Sequence, residues 1–197
     1  MRVMSFNVRG SFRDRLKPNA WRNRAALNVA TIERSAPDLI GLQECQRGNL
    51  KAYRKNLPRY TQVRGPRYGN AVHRDSNAIL FDPNRLELSD SGGFWLSETP
   101  ERYSRSWEMR VVRSANWALF EVLGTTLPLL HLNTHLDHKS GLARREGSKL
   151  ILERTAELWD RRGEGPAIAV TYLAAGNEDT EDANTFHAPG CRFWSST

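Results

Sequence analysis

Apolar residues along this chain fall into two kinds of block. Largely apolar runs at residues 3–6, 39–43 and 129–134 read as buried strands, because they are too short for helices. Other blocks repeat every three or four residues. Trp21, Ala25, Val29, Ile32 and Ala36 predict an amphipathic helix stopped at Pro37. Leu50, Tyr53 and Leu57 mark a short helix ending at Pro58. Ala143, Gly147, Leu150, Ile151 and Leu158 form the inward stripe of the longest helix, residues 142–162, which Gly163 and Gly165-Pro166 end. Strands are expected at 2–8, 38–43 and 77–82, with a turn at Asp82-Pro83-Asn84. Residues 86–96 give more strand, broken by Gly92-Gly93, and 115–123 with 127–135 give a hairpin pair. Residues 167–173 form the last strand. Strands thus occur both in hairpins and between helices. That mixture predicts an α/β (α+β) fold of two mixed sheets face to face with helices outside.

The 197 residues suit one domain with a real core, and the hydrophobic fraction of 39% with six Trp argues for a globular protein. No run approaches the roughly 18 apolar residues of a membrane span. The N-terminus carries no charged-then-apolar leader, so a cytoplasmic chain is expected. Cys45 and Cys191 are too few for a disulfide framework or thiolate metal site, and Cys45 reads as a small buried thiol. The net charge of +7 and pI of about 9.8 favour phosphate-rich partners, or belong to an Arg-rich solvated surface. Arg59, Arg64, Arg67 and Arg74 alternate with Tyr60, Tyr68 and His73. That composition suits backbone contact and stacking, and equally a plain surface loop.

Three of the strand-like runs end at a chemically able side chain: Asn7, Glu44 and His135. Strand ends are rigid places to build a site. An amide oxygen and a carboxylate are hard ligands suited to Mg²⁺ or Mn²⁺, and an imidazole can move protons or steady a phosphate. Glu44 carries the most weight, because a carboxylate ending a run of Leu-Ile-Gly-Leu needs a cation or a partner. Asn7 alone could cap a turn, and a lone His is most often a satisfied structural residue. Arg113 suits bidentate phosphate binding, or is a surface Arg on a strand.

Met4-Ser5-Phe6-Asn7-Val8-Arg9, Asp38-Leu39-Ile40-Gly41-Leu42-Gln43-Glu44 and Leu132-Asn133-Thr134-His135-Leu136-Asp137-His138 resemble three successive motifs of the endonuclease/exonuclease/phosphatase superfamily. Phe94-Trp95-Leu96-Ser97-Glu98-Thr99-Pro100 is similar to a segment of its bacterial branch. The resemblance covers residues 2–171, in the family's order. It implies a four-layer αββα sandwich, with an endonuclease/exonuclease/phosphatase-like domain over 1–175, while residues 176–182, acidic and poor in β-formers, make 176–197 read as an irregular tail. It implies Glu44 and Asn7 as ligands of Mg²⁺ (or Mn²⁺), His135 and Asp75 as the catalytic pair, and Arg113 and Arg9 as contacts to the substrate phosphate. Asp137 and His138 read as loop-ordering.

The family's pattern continues into a strand ending Gly-Asp-Phe-Asn and closes on Ser-Asp-His. Here Leu173 and Ala175 take the places of that Asp and Asn, and Thr197 is reached without the closing motif. A side chain of neither residue can ligate a metal or donate a hydrogen bond. The second sheet is therefore expected to be incomplete at the C-terminus, leaving an exposed edge that favours a dimer. The expected function is that of a metal-dependent phosphoesterase, a nuclease-type hydrolase acting on nucleic acid or lipid or sugar phosphates, with an incomplete catalytic set. Two alternatives stand beside it: a non-catalytic relative that binds nucleic acid, and a truncated or frame-shifted product without independent activity.

Overall fold

The run Leu39–Leu42 becomes the middle of a sheet, buried on both faces by its neighbours. A computed structural model describes residues 1–12, 18–66, 76–125, 128–160 and 167–173. The elements in chain order are β1 (Val3–Asn7), α1 (Trp21–Ser35), β2 (Leu39–Cys45), α2 (Arg47–Asn56), β3 (Thr61–Arg64) and β4 (Ser76–Phe81). They continue with β5 (Leu86–Trp95), β6 (Ser114–Val122), β7 (Pro128–His135), α3 (Gly141–Asp160) and β8 (Ala167–Leu173). Among the described residues there are two sheets of four strands, ordered β1-β2-β4-β3 and β5-β6-β7-β8. Both are mixed: β1 and β2 run parallel, as do β7 and β8, and the remaining pairs are antiparallel.

Alternation along the strands assigns each face. Ile40, Leu42, Ala78 and Leu80 point outward from the first sheet onto Ile32 of α1 and Leu50 and Tyr53 of α2. Leu132 and Ala115 point outward from the second onto Ala143 and Ile151 of α3. Leu39, Ile79, Phe81, Ala118, Phe120 and Leu129 fill the space between, with the Phe81 and Phe120 rings 4.9 Å apart. Each such fully buried side chain contributes about 1.5–3 kcal/mol. The layers are therefore helix, sheet, sheet, helix, the expected four-layer sandwich.

Three details differ from the sequence reading. Gly92-Gly93 do not break β5; its irregularity lies between Leu88 and Asp90. A Cβ on Gly92 would lie 2.7 Å from the Trp117 ring, and one on Gly93 would strike Pro66, so these glycines admit close neighbours within a continuous strand. The stretch beginning at Arg59 is not all loop, since Thr61–Arg64 pairs with β4 as an edge strand. Only Val63 in it is buried, which left little apolar signal. Arg59 itself is no free phosphate contact. It bonds Asp82 at 2.7 Å, approaches Asp38 at 3.7 Å and stacks on Tyr60, whose hydroxyl donates to the Pro37 carbonyl. Burial alone would raise the Asp82 pKa, but the Asn84 backbone N–H and Arg59 outweigh it and hold the carboxyl below its usual range. The tail 176–197, Asp75 and Ala175 lie outside the described residues.

Candidate functional site

Strand direction brings the chemistry together. β1 and β2 end at the edge of the first sheet where the antiparallel β4 begins. β7 and β8 end at the edge of the second sheet where β6 begins. The two edges face each other, because Gln43 Nε2 donates to Asn133 Oδ1 at 2.7 Å and Asn77 Nδ2 donates to the Ser114 carbonyl at 2.6 Å. Asn7, Glu44, Arg113 and His135 thus share one edge of the sandwich, and the Arg59–Asp82 pair closes the opposite one.

Glu44 reaches its position through a β-bulge. Leu42 pairs with Ala78 but Cys45 pairs with Ser76, so β2 carries one residue more than its partner across this interval. Glu44 has a φ of 54°, in the left-handed region that side chains rarely adopt. The bulge re-aims its half-buried carboxylate out of strand alternation, and Asn7 Nδ2 donates to Oε1 at 3.2 Å. Arg9 is likewise left-handed, with φ 46°, and its N–H donates to Asn7 Oδ1 at 3.0 Å. Backbone strain of this kind concentrates at functional sites.

The loop carrying Arg9 is held from below by Arg24 of α1. Its guanidinium donates to the carbonyls of Asn19 at 2.6 Å, Val8 at 2.9 Å and Arg9 at 2.6 Å. Gln46 and Asn49 hold the next residues, accepting from the N–H groups of Phe12 and Ser11. Arg24 and these two amides were missed in the sequence reading, because bonds to distant backbone carbonyls and N–H groups leave no pattern.

On the second sheet His135 is 5% exposed and ends β7. Arg113, 9% exposed, lies just before β6, with Nη2 3.4 Å from His138 Nδ1. Asp137 Oδ1 accepts the N–H groups of Lys139 and Ser140 at 2.8 Å each, the expected loop-ordering role. Across the parallel ladder the register partner of His135 is Leu173. Leucine is a residue type with no ligating or proton-moving group.

Beneath this edge the layer between the sheets is polar. Gln43, Asn77, Asn116, His131 and Asn133 are all buried there. Burial drives the His131 imidazole down to about 3, so it is neutral at pH 7. Asn116 occupies the space that a Cβ on residue 65 would need, which explains Gly65. These in-phase amides inside apolar strands were a readable signal that went unused.

No family model matches the chain. An uncharacterized protein of Acanthamoeba polyphaga mimivirus is 28% identical over 112 residues, 54% of this chain and 42% of that protein. A mannosyl-6-phosphatase of Bacteroides thetaiotaomicron superposes with a TM-score of 0.80 at 28% identity, over 87% of this chain and 64% of its own. An endonuclease/exonuclease/phosphatase family protein of the same organism superposes with a TM-score of 0.84 at 26% identity, over 93% of this chain and 66% of its own. These likenesses support the resemblance of the chain to the endonuclease/exonuclease/phosphatase superfamily. It spans a little under two thirds of the length of these structural relatives.

Superfamily members generally depend on a divalent metal. Among the described residues no three His, Cys, Asp or Glu side chains gather into a metal cluster. The donors at the edge nonetheless fit Mg²⁺ in kind. That ion keeps several waters and takes one or two protein carboxylates plus substrate phosphate, and Glu44 with the Asn7 amide oxygen are hard donors on adjacent strand ends.

Proposed function

We propose that this chain is a phosphoesterase-type protein whose edge site binds a divalent cation and a phosphate ester, with hydrolytic turnover near background. The observation that carries the reading is the meeting of Asn7 and Glu44 from one sheet with Arg113 and His135 from the other at one edge. Glu44 and Asn7 would hold the cation. When bound, such an ion polarises a phosphoryl oxygen and helps the leaving group depart. Arg113 and Arg9 offer donors to phosphate oxygens, and His135 holds or moves a proton at its ring nitrogen. The net charge of +7 draws anionic esters, nucleic acid or lipid or sugar phosphates, to the surface.

The slow turnover rests on Leu173. Loss of one general base costs about 10²- to 10⁴-fold in rate. The register position next to His135, where the family resemblance implies a carboxylate, holds an alkyl group instead.

Two measurements test the reading. Calorimetry with Mn²⁺ is expected to show weak binding that Glu44→Ala abolishes; equal binding in the variant sinks the metal assignment. Hydrolysis of bis-nitrophenyl phosphate is expected near background and to rise in Leu173→Asp. Robust hydrolysis by the unmodified chain, lost in His135→Ala, refutes the slow-turnover half. Salt-dependent DNA affinity without any cation binding would favour a non-catalytic nucleic-acid binder.

A further inference from the structure

Gln43 immediately precedes Glu44, and Asn133 lies two residues before His135. Their side chains meet between the sheets, both 0% exposed. Gln43 Nε2 donates to Asn133 Oδ1 at 2.7 Å, and Asn133 Nδ2 donates to the carbonyls of Leu42 and Ala78 at 2.9 Å each. One amide of the second sheet thus grips β2 and β4 together, at the start of the bulge interval that delivers Glu44. Gln43 Nε2 also reaches Ser5 Oγ and the Gly41 carbonyl, both at 3.2 Å, extending the tie to β1, which carries Asn7.

Packing alone does not account for this placement. Farther from the edge the same layer is filled by Leu39, Ile79, Phe81, Phe120 and Leu129, which dock two sheets without directional bonds. Apolar contacts tolerate small slides, whereas hydrogen bonds weaken steeply with misalignment. A site divided between two sheets needs the offset of those sheets fixed to about 0.5 Å. The amides sit where that requirement is greatest.

We infer that Gln43 and Asn133 are positioning residues, forming an inter-sheet clamp that sets the offset between the Glu44 and His135 strand ends. The inference rests on the proposed role of those two ends, and its test separates the two. In the 197-residue chain, Mn²⁺ bound at Glu44 relaxes the His135 imidazole protons with an inverse sixth-power dependence on distance. Asn133→Leu is expected to leave Mn²⁺ affinity unchanged, because Glu44 and Asn7 share a sheet. The same variant is expected to cut the His135 relaxation roughly twofold, for a shift of the order of 1 Å. Metal-free residual dipolar couplings at the Glu44 and His135 amides, which read strand orientation, are expected to change with it. A folded Asn133→Leu with a lower unfolding midpoint but unchanged relaxation and couplings shows a merely structural amide and overturns the clamp. If the unmodified chain binds no Mn²⁺, the proposed function fails and the couplings alone decide the clamp. If Asn133→Leu does not fold, Gln43→Leu takes its place, since it spares the two carbonyl bonds of Asn133.

Discussion

His131 makes the acid stability of this fold predictable. The imidazole is 0% exposed in the middle of β7, and burial lowers its pKa from 6.5 to about 3. In the unfolded chain the same group titrates near its ordinary value, about 6.5. Between those two values the unfolded state binds the extra proton, so stability falls as pH falls. At pH 7 both states are largely neutral and the effect is small. At pH 4 the unfolded imidazole is protonated and the folded one is not, and two and a half pH units at about 1.4 kcal/mol each cost about 3 kcal/mol. Against a typical total of roughly 5–15 kcal/mol, that is a large fraction. Urea unfolding at pH 7 and pH 4, at fixed ionic strength, measures the loss in the natural chain and in His131→Leu. Every other titrating group is common to both proteins, so the difference between their pH dependences isolates this one. His131→Leu is expected to lose about 3 kcal/mol less over the interval. Equal losses in the two proteins would refute a buried neutral imidazole.

Three further outcomes are expected. Arg59→Ala should lower stability by about 1 kcal/mol, a modest figure because the guanidinium is 42% exposed. Because Asp82 is held below its usual range, this contribution is present above its unfolded pKa and lost as pH falls through the folded one. Urea midpoints at pH 7 and pH 3 that show no difference between variant and natural chain would count against the pair. Phe120→Ala should cost about 3–5 kcal/mol, since the ring is fully buried against Phe81, and denaturant unfolding showing under about 1 kcal/mol would mean the layer collapses around the gap. Arg24→Ala should speed amide hydrogen exchange across residues 8–12 and lower stability by about 2 kcal/mol, while unaltered exchange would show that the loop does not lean on Arg24.

The layered fold was readable because the central strands carry near-continuous apolar runs. Leu39, Ile40 and Leu42, or Leu129, Leu130 and Leu132, announce burial on two faces whatever surrounds them. The strand-end placement of Asn7, Glu44 and His135 was readable for the opposite reason, each being a polar group at the end of an apolar run. Long-range consequences were harder to see. No local pattern tells that Arg59 meets Asp82 and Asp38, or that Arg24 binds carbonyls 15 and 16 residues away. The glycines at 92 and 93 misled because their neighbours, Trp117 and Pro66, come from distant parts of the chain. The amides Gln43 and Asn133 lay in plain view at the inward phase, but their meaning depends on a sheet-to-sheet meeting 90 residues apart.

The bulge at Glu44 ties the aim of one side chain to the length of its strand. Residue 44 lies in the irregular interval of β2, between the Leu42–Ala78 and Cys45–Ser76 pairs. A substitution there leaves the inward phase of Leu39 and Gly41 untouched, but its left-handed φ of 54° strains β-branched side chains. A deletion acts on the bulge itself. Removing one residue from the interval leaves Leu42 opposite Ala78 and Cys45 opposite Ser76 with no residue to spare, so pairing on both sides survives and the bulge is lost. The residue left in the interval then faces one side or the other by ordinary alternation. At this point of the chain, length decides where a side chain is aimed.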